Sequence, residues 1–400
     1  MKITLVKADG VANNNKFWTA ECQDGNAVVC RWGRVGATGQ SATFTGGQNY
    51  IDKKVVEKKR KGYREVSIVD GNLGVQPTNL LSIAKKEISH MNHKEVESLI
   101  ERLVQWNAHH IGATSTLKVD LSKGQIALPS NLGVLTTDAI KEARGLLKQI
   151  EDGRTTGGGL LLPLINNYLS LVPQVVPRSR GWVENYICTD SYCEKQEELL
   201  DALESTLNSL APSGFSGLFN VSLNLLDSSK ERAKVEKLYT STRQTRHTSF
   251  SLSIKSIYEV EVRSMREAYE HCQVNNIKTL WHGTRVGNLL NIIRTGLVIP
   301  AHAAHGRLFG PGVYFSDQST KALNYSAGYW DGRNDSNCFM FLADVKLGRS
   351  YTPRGTHENL PKAGFDSTFA EAGKSGVINN EFIVYSLPQI NLRYLVEFAR

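Results

Sequence analysis

Apolar and polar positions alternate with a period of two over the first 75 residues, as in Lys2-Ile3-Thr4-Leu5-Val6, Lys16-Phe17-Trp18-Thr19-Ala20 and Ala27-Val28-Val29-Cys30-Arg31-Trp32. That period predicts β-strands, and Asp24-Gly25-Asn26 predicts a hairpin turn between two of them. A Gly/Thr/Ser-rich stretch runs to Gly47, and a helix is expected from Asn49 to about Lys61. Asp70 to Asn79 reads as a linker. From about Leu80 the spacing becomes helical, first over Glu95 to Val104. Thr137-Asp138 predicts a cap for a helix with Ile140, Ala143, Leu146, Leu147 and Ile150 on one face. Further helices are expected over 160–172, ended by Pro173 and Pro177, and over 191–210, with Leu199, Leu200, Leu203, Leu207 and Leu210 as a stripe. Such stripes read as core. After Pro212-Ser213-Gly214 strands return, over 249–262, 277–281, 312–316, 338–347, 381–385 and 389–398, with short helical connections such as Gly287 to Arg294. The expected fold class is multidomain α+β, divided 1–75, 80–211 and 212–400.

A chain of 400 residues fits two or three domains, and 40% apolar with 22% charged residues is ordinary for globular cores. No run of eighteen apolar residues predicts a membrane helix, and the N-terminus has no apolar stretch of a secretory signal. Cys22, Cys30, Cys188, Cys193, Cys272 and Cys338 form no CxxC pair. They read as buried thiols in a reducing compartment, with no disulfide framework and no structural zinc. The net charge is +8, and residues 1–80 carry +5 of it, from 8 Lys and 4 Arg against 4 Asp and 3 Glu. This excess points to a polyanion partner; the alternative is a solvated basic helix holding Lys53, Lys54, Lys58, Lys59, Arg60 and Lys61.

Three stretches carry candidate chemistry. Thr279-Leu280-Trp281-His282-Gly283-Thr284-Arg285 is a strand end with a histidine, followed by a glycine where backbone can approach a ligand. Phe309-Gly310-Pro311-Gly312-Val313-Tyr314-Phe315-Ser316-Asp317 and Asn380-Glu381-Phe382-Ile383-Val384-Tyr385 each set one reactive polar residue in or beside a β-type run. Gly373-Lys374-Ser375 is not a phosphate loop, because Thr368 stands where the first glycine is needed and no helix pattern follows. HExxH, GxSxG and the Rossmann fingerprint are absent.

Trp32-Gly33-Arg34, with strand-turn-strand before it and a basic helix after it, resembles the WGR domain, a small antiparallel sheet with one helix. That resemblance implies that Trp32 packs on the sugar-phosphate end of a broken DNA strand and that Arg34 stands at a domain or DNA interface. The helix order around Leu132 to Ile150 and Leu169 to Pro173 resembles the all-α regulatory domain that precedes the catalytic domain in DNA-dependent poly(ADP-ribose) polymerases. His282-Gly283-Thr284, the run through Tyr314 to Lys321 and Tyr325, and Asn380 to Tyr385 followed by Gln389 to Leu395 resemble the strand-rich α+β ADP-ribosyltransferase domain of that family. The resemblance implies NAD as substrate and no metal. It gives His282 and Asn288 to the adenosine ribose, Gly283 to the carboxamide, and Thr284 to the nicotinamide or its ribose. Tyr314 and Tyr325 would sandwich the nicotinamide ring, Lys321 in the same motif would be a further NAD-binding residue, and Glu381 would polarise the nicotinamide-ribose hydroxyl. With Glu381 kept, DNA-stimulated polymer formation on protein acceptors, the protein itself included, is expected, with strand breaks as the DNA partner and no membrane. Mono(ADP-ribosyl) transfer and a DNA-end-binding module with an inactive transferase fold are the alternatives. The expected site is intracellular: the nucleus in a eukaryote, the cytoplasm in a bacterium or virus.

Two departures from the family pattern stand out. Ala322 occupies the place of a serine whose hydroxyl bonds the carboxamide. The 300–309 loop is short, and Val298 stands where an adenine-contacting arginine is common.

Overall fold

The structure, a computed structural model, describes residues 2–66, 68–69, 80–91, 93–114, 118–120, 125–127, 134–156, 161–177, 179, 181–183, 192–193, 195–197, 199–200, 203–204, 219–299, 308–329, 335, 337–356 and 358–400. The predicted linker and most of the 191–210 helix therefore fall outside it. The N-terminal strands β1 (Lys2–Asp9), β2 (Asn14–Gln23), β3 (Ala27–Arg34) and β4 (Gln40–Thr45), with the short β5 (Arg64–Glu65), form one antiparallel sheet in the order β4-β3-β2-β1-β5. The predicted hairpin is present, and Asp24 and Gly25 both take positive φ (51° and 77°), as a primed turn requires. Helix α1 (Gly47–Arg60) follows.

This sheet is buried on both faces. Leu5, Trp18, Ala20, Val28 and Cys30 pack on Ile51 of α1. Val6, Ala8, Phe17 and Val35 pack instead against a helical core that includes Ile140, Leu147, Ile165 and Leu169. Two-sided burial explains why Leu5 and Val6 are adjacent apolar residues rather than an alternating pair.

Four short strands form two pairs: β6 (Ile68–Val69) with β9 (Val134–Leu135), and β7 (Lys118–Asp120) with β8 (Gln125–Ala127). The helices of the middle region are α2 (Leu80–Glu87), α3 (Lys94–Thr114), α4 (Thr137–Thr156) and α5 (Leu161–Leu171). The single helical block expected over 80–211 is not one body. One compact unit comprises residues 1–79 and 109–213; the other comprises 80–108 and 214–400. The division falls inside α3. The physical reason is where each apolar face is buried: Ala84, Ile88, Val96, Leu99, Ile100 and Leu103 join the core of the C-terminal sheet, whereas α4 and α5 share a core with the N-terminal sheet.

The second unit is built on an antiparallel sheet of β10 (Val221–Leu225), β11 (Ser253–Val262), β12 (Ile277–Gly283), β14 (Cys338–Lys346) and β18 (Ile390–Ala399), in the order β10-β11-β18-β14-β12. A smaller sheet runs β13 (Val313–Phe315), β17 (Glu381–Val384), β16 (Ser367–Ala370), β15 (Ser350–Tyr351). One backbone bridge joins them: Trp281 and Ser316 exchange N–H···O bonds of 2.9 Å. Helices α2 and α3 cover one face of the large sheet, including Phe339, Phe341 and Leu395. The other face, with Trp281, Met340 and Leu342, packs on Val235 and Tyr239 of α6 (Ser229–Ser241) and on Ala322 and Leu323 of α9 (Ser319–Ser326). Two further helices, α7 (Arg263–His271) and α8 (Leu289–Thr295), complete the unit. The arrangement is the expected strand-rich α+β class.

Candidate active site

The three sequence stretches converge beside the Trp281–Ser316 bridge. His282 is the penultimate residue of β12, and its Nδ1 lies 3.0 Å from the carbonyl oxygen of Tyr314 on β13. A carbonyl only accepts, so Nδ1 carries the proton. Burial holds this imidazole below its ordinary pKa. The neutral ring therefore has its proton on Nδ1 and a lone pair on Nε2, which can accept a bond from a ligand hydroxyl.

Gly283 lies against the backbone of α9. A Cβ there would overlap the carbonyl oxygen of Ala322 and approach its carbon to 2.6 Å. Only glycine lets β12 and α9 meet, and the contact puts Ala322 beside the Gly283 peptide. One helical turn holds Lys321 and Tyr325. Lys321 Nζ lies 2.6 Å from Glu381 Oε1 at the start of β17. Their side chains are 9% and 12% exposed. Burial pulls the Lys321 ammonium below its ordinary pKa, and the Glu381 carboxylate works against that shift. Tyr325 is half-exposed, with a phenol pushed up to about 12 by desolvation and then by Glu381. The Tyr314 hydroxyl accepts from Phe309 N–H at 3.0 Å and donates to Gly310 O at 2.9 Å. Asn288 Nδ2 donates to Thr284 Oγ1 at 3.3 Å. Thus His282, Gly283, Tyr314, Lys321, Ala322 and Glu381 are tied together by direct contacts, with Tyr325 on the helix of Lys321 and with Thr284 and Asn288 in the segment that follows β12. Val298 is 56% exposed, and residues 300–307 lie outside the described structure.

Sequence reasoning missed His247. It is 9% exposed, its Nδ1 lies 2.8 Å from Thr320 Oγ1, and it precedes no motif that would flag it. Burial depresses its pKa, and the charges of Arg246 and Lys321 act in the same sense. Among the described residues, no group of three or more His, Cys, Asp or Glu could hold a metal ion.

The N-terminal candidates lie in the other unit. Trp32 is partly buried in the α1-side core and its Nε1 donates to Gln40 Oε1 at 3.1 Å. Gly33 faces Gly39, whose Cα would lie 2.8 Å from an added Cβ, so the middle residue of the triplet has no room for a side chain. Arg34 is committed inside its own unit, donating to Asn13 O (3.0 Å), Asn13 Oδ1 (3.1 Å) and Pro177 O (3.3 Å). The basic helix is partly neutralised: Glu57 pairs with Lys54 and Lys61, Glu65 pairs with Lys59, and Lys58 lies over the Trp18 and Tyr63 rings. Lys53 and Arg60 are exposed.

Comparison with known proteins agrees with this layout. The family described as the poly(ADP-ribose) polymerase catalytic domain matches residues 229–369, and the WGR domain matches residues 1–69. The first match includes His282, Tyr314, Lys321 and Tyr325 and stops short of Glu381. Human "Poly [ADP-ribose] polymerase 2" is 24% identical over 96% of this chain and 77% of its own. Human "Protein mono-ADP-ribosyltransferase PARP3" is 25% identical over 98% of this chain and 87% of its own. Chicken "Poly [ADP-ribose] polymerase 1" is 26% identical over 76% of this chain, which spans 32% of that longer protein. With both domains matched and the three sequence stretches gathered at one sheet junction, the chain carries a WGR domain and a poly(ADP-ribose) polymerase catalytic domain and is an NAD-dependent ADP-ribosyltransferase.

Proposed function

We propose that the protein transfers ADP-ribose from NAD to protein acceptors, itself among them, forms polymer, and is stimulated by DNA strand breaks bound at its WGR domain. The observation that carries the catalytic part is the buried Lys321–Glu381 pair beside Gly283 and His282. His282 Nε2 accepts from an adenosine-ribose hydroxyl, with Asn288 beside that ribose. The Gly283 peptide pairs with the nicotinamide carboxamide, and Thr284 stands by the nicotinamide ribose. Tyr314 and Tyr325 stack on the nicotinamide ring, whose cationic ground state favours aromatic faces.

The bond from ribose C1 to the nicotinamide nitrogen breaks with its electron pair going to the ring, which leaves neutral. The sugar develops oxocarbenium character, as in glycoside cleavage. Glu381 accepts a hydrogen bond from the ribose hydroxyl and spreads that charge, and it holds the acceptor oxygen in line with C1. The acceptor hydroxyl passes its proton to the Glu381 carboxylate as its oxygen bonds C1. No step calls for a metal ion.

Trp32 offers a flat face for a sugar at a strand end, and Lys53 and Arg60 offer exposed charge for phosphate. The bonds of Arg34 to Asn13 and Pro177 support the domain-interface role of the two foreseen for it. The matched relatives include one named a mono-ADP-ribosyltransferase, so single transfer is the second reading. In a eukaryote the expected compartment is the nucleus, in a bacterium or virus the cytoplasm. Among the described residues, no helix is long and apolar enough to cross a membrane.

The test is incubation with labelled NAD, with and without nicked DNA. A DNA-stimulated ladder supports the polymerase, a single increment supports mono transfer, and DNA binding without label supports an inactive fold. Trp32→Ala should lose DNA stimulation while retaining the basal rate.

A further inference from the structure

Two tyrosine hydroxyls grip one peptide segment. Phe309 is fully buried with Leu360, Ala370 and Ile383. Its N–H donates to the Tyr314 hydroxyl, which in turn donates to Gly310 O. Its carbonyl accepts from the Tyr385 hydroxyl at 2.6 Å. A phenol has one proton, so the 2.8 Å contact between Tyr385 Oη and Thr368 Oγ1 has the threonine as donor. Thr368 is fully buried on β16, opposite Ile383 of β17. Tyr385 Oη is thus saturated and fixed from the sheet side.

The turn it holds has little slack. Gly310 has φ +86°, and a Cβ there would come within 2.7 Å of Leu360 O. A Cβ at Gly312 would come within 2.7 Å of Val384 O and 3.0 Å of Tyr385 Cδ1. Ring and hydroxyl of Tyr385 therefore both bear on the 309–312 turn, and that turn supplies two partners of the Tyr314 hydroxyl.

We propose that Tyr385 is a positioning residue of the nicotinamide subsite: by anchoring the Phe309 carbonyl it holds the turn that fixes the Tyr314 ring. Tyr385 acts on the substrate only through Phe309 and Tyr314. The inference rests on the stacking role given to Tyr314 above. Stacking on the ring is made when NAD binds, so loosening it weakens binding more than turnover and raises KM with kcat little changed.

The test uses the full chain and two ligands. Benzamide carries the ring and carboxamide of nicotinamide; ADP-ribose lacks both. In Tyr385→Phe, benzamide Kd and the KM for NAD are expected to rise about five- to tenfold, the size of one lost buried hydrogen bond, with ADP-ribose Kd and kcat within about twofold. Thr368→Val removes only the donor to Tyr385 and should shift benzamide about two- to threefold in the same direction; it serves equally where Tyr385→Phe does not fold. Unchanged benzamide affinity in both variants, or equal weakening of benzamide and ADP-ribose, overturns the proposal, the latter outcome meaning general loosening. Tyr314→Ala separates the two levels. If it leaves benzamide binding intact, the stacking role falls and this proposal with it. If it weakens benzamide while Tyr385→Phe does not, only the role of Tyr385 falls.

Discussion

Lys321 Nζ and Glu381 Oε1 are 2.6 Å apart, so the carboxylate given the central catalytic role is already paired with a cation in the free protein. A buried carboxylate held in place by that contact meets a developing positive sugar without first being desolvated. Glu381→Ala should cut elongation by about a hundredfold or more, leaving at most single increments on a gel of labelled product. Normal ladders from that variant would refute the role.

Ala322 touches the Gly283 peptide through its own backbone but has no hydroxyl to offer a carboxamide. Ala322→Ser should add one hydrogen bond, about 0.5–1.5 kcal/mol, and tighten benzamide roughly two- to tenfold. Titration calorimetry decides it; equal or weaker affinity would show that the serine cannot reach the ligand. Gly283→Ala is the opposite case. It forces backbone apart, costing about 1–3 kcal/mol of stability, and should reduce benzamide binding by more than it lowers stability.

Burial holds both His282 and His247 below the ordinary histidine pKa. The sign follows from linkage. Between the depressed folded value and the unfolded value near 6.5, the unfolded chain binds protons that the folded chain refuses, so stability rises with pH there and falls on acidification. Melting temperature should drop from pH 7.5 to 5.5. In His282→Asn the drop should be smaller; an identical slope would mean that His282 does not titrate in this way.

Arg102 of α3 donates to both oxygens of Glu397 on β18, at 2.6 and 3.1 Å, with Lys255 at 3.0 Å. Burial acts to raise the Glu397 pKa, but the bonds from Arg102 and Lys255 outweigh it and hold the carboxyl below the usual range. This contribution to stability is present above the ordinary carboxylate pKa and is lost as pH falls through the folded value. Glu397 is 3% exposed, so Arg102→Leu should cost about 3 kcal/mol in denaturant unfolding. The double variant Arg102→Leu/Glu397→Leu should recover part of that loss; a fully additive result would show the pair to be uncoupled.

Most strands were legible because period-two runs bounded by glycine and proline leave few alternatives, and β11, β12, β14, β17 and β18 fall within one to four residues of their expected limits. The candidate residues His282, Tyr314 and Glu381 drew notice because each interrupts or flanks an apolar run. What was illegible is long-range. An apolar stripe such as Val96, Leu99, Ile100 and Leu103 says that a face is buried, not against which sheet. Arg102 and Glu397 are 295 residues apart, and neither stands out alone. Helix α6 is rich in Lys and Glu and buries only Val235 and Tyr239, too thin a stripe to mark it. Tyr385 reads as the last residue of a strand until its hydroxyl partners are seen.

The catalytic unit is written in the sequence in two pieces, and this governs how the protein can be cut. A fragment beginning at 212 would bare Phe339, Phe341 and Leu395 to water and deprive Glu397 of one of its two cations. It would also free the β10 edge, where Val221 and Leu223 bond the Ser89 backbone at 3.0 and 2.9 Å. Exposed apolar sheet and an open edge favour aggregation. Residues 80–108 are therefore the missing half of a split enzyme: supplied as a separate peptide during refolding, they should return the C-terminal fragment to solution, and a scrambled peptide of the same composition should not.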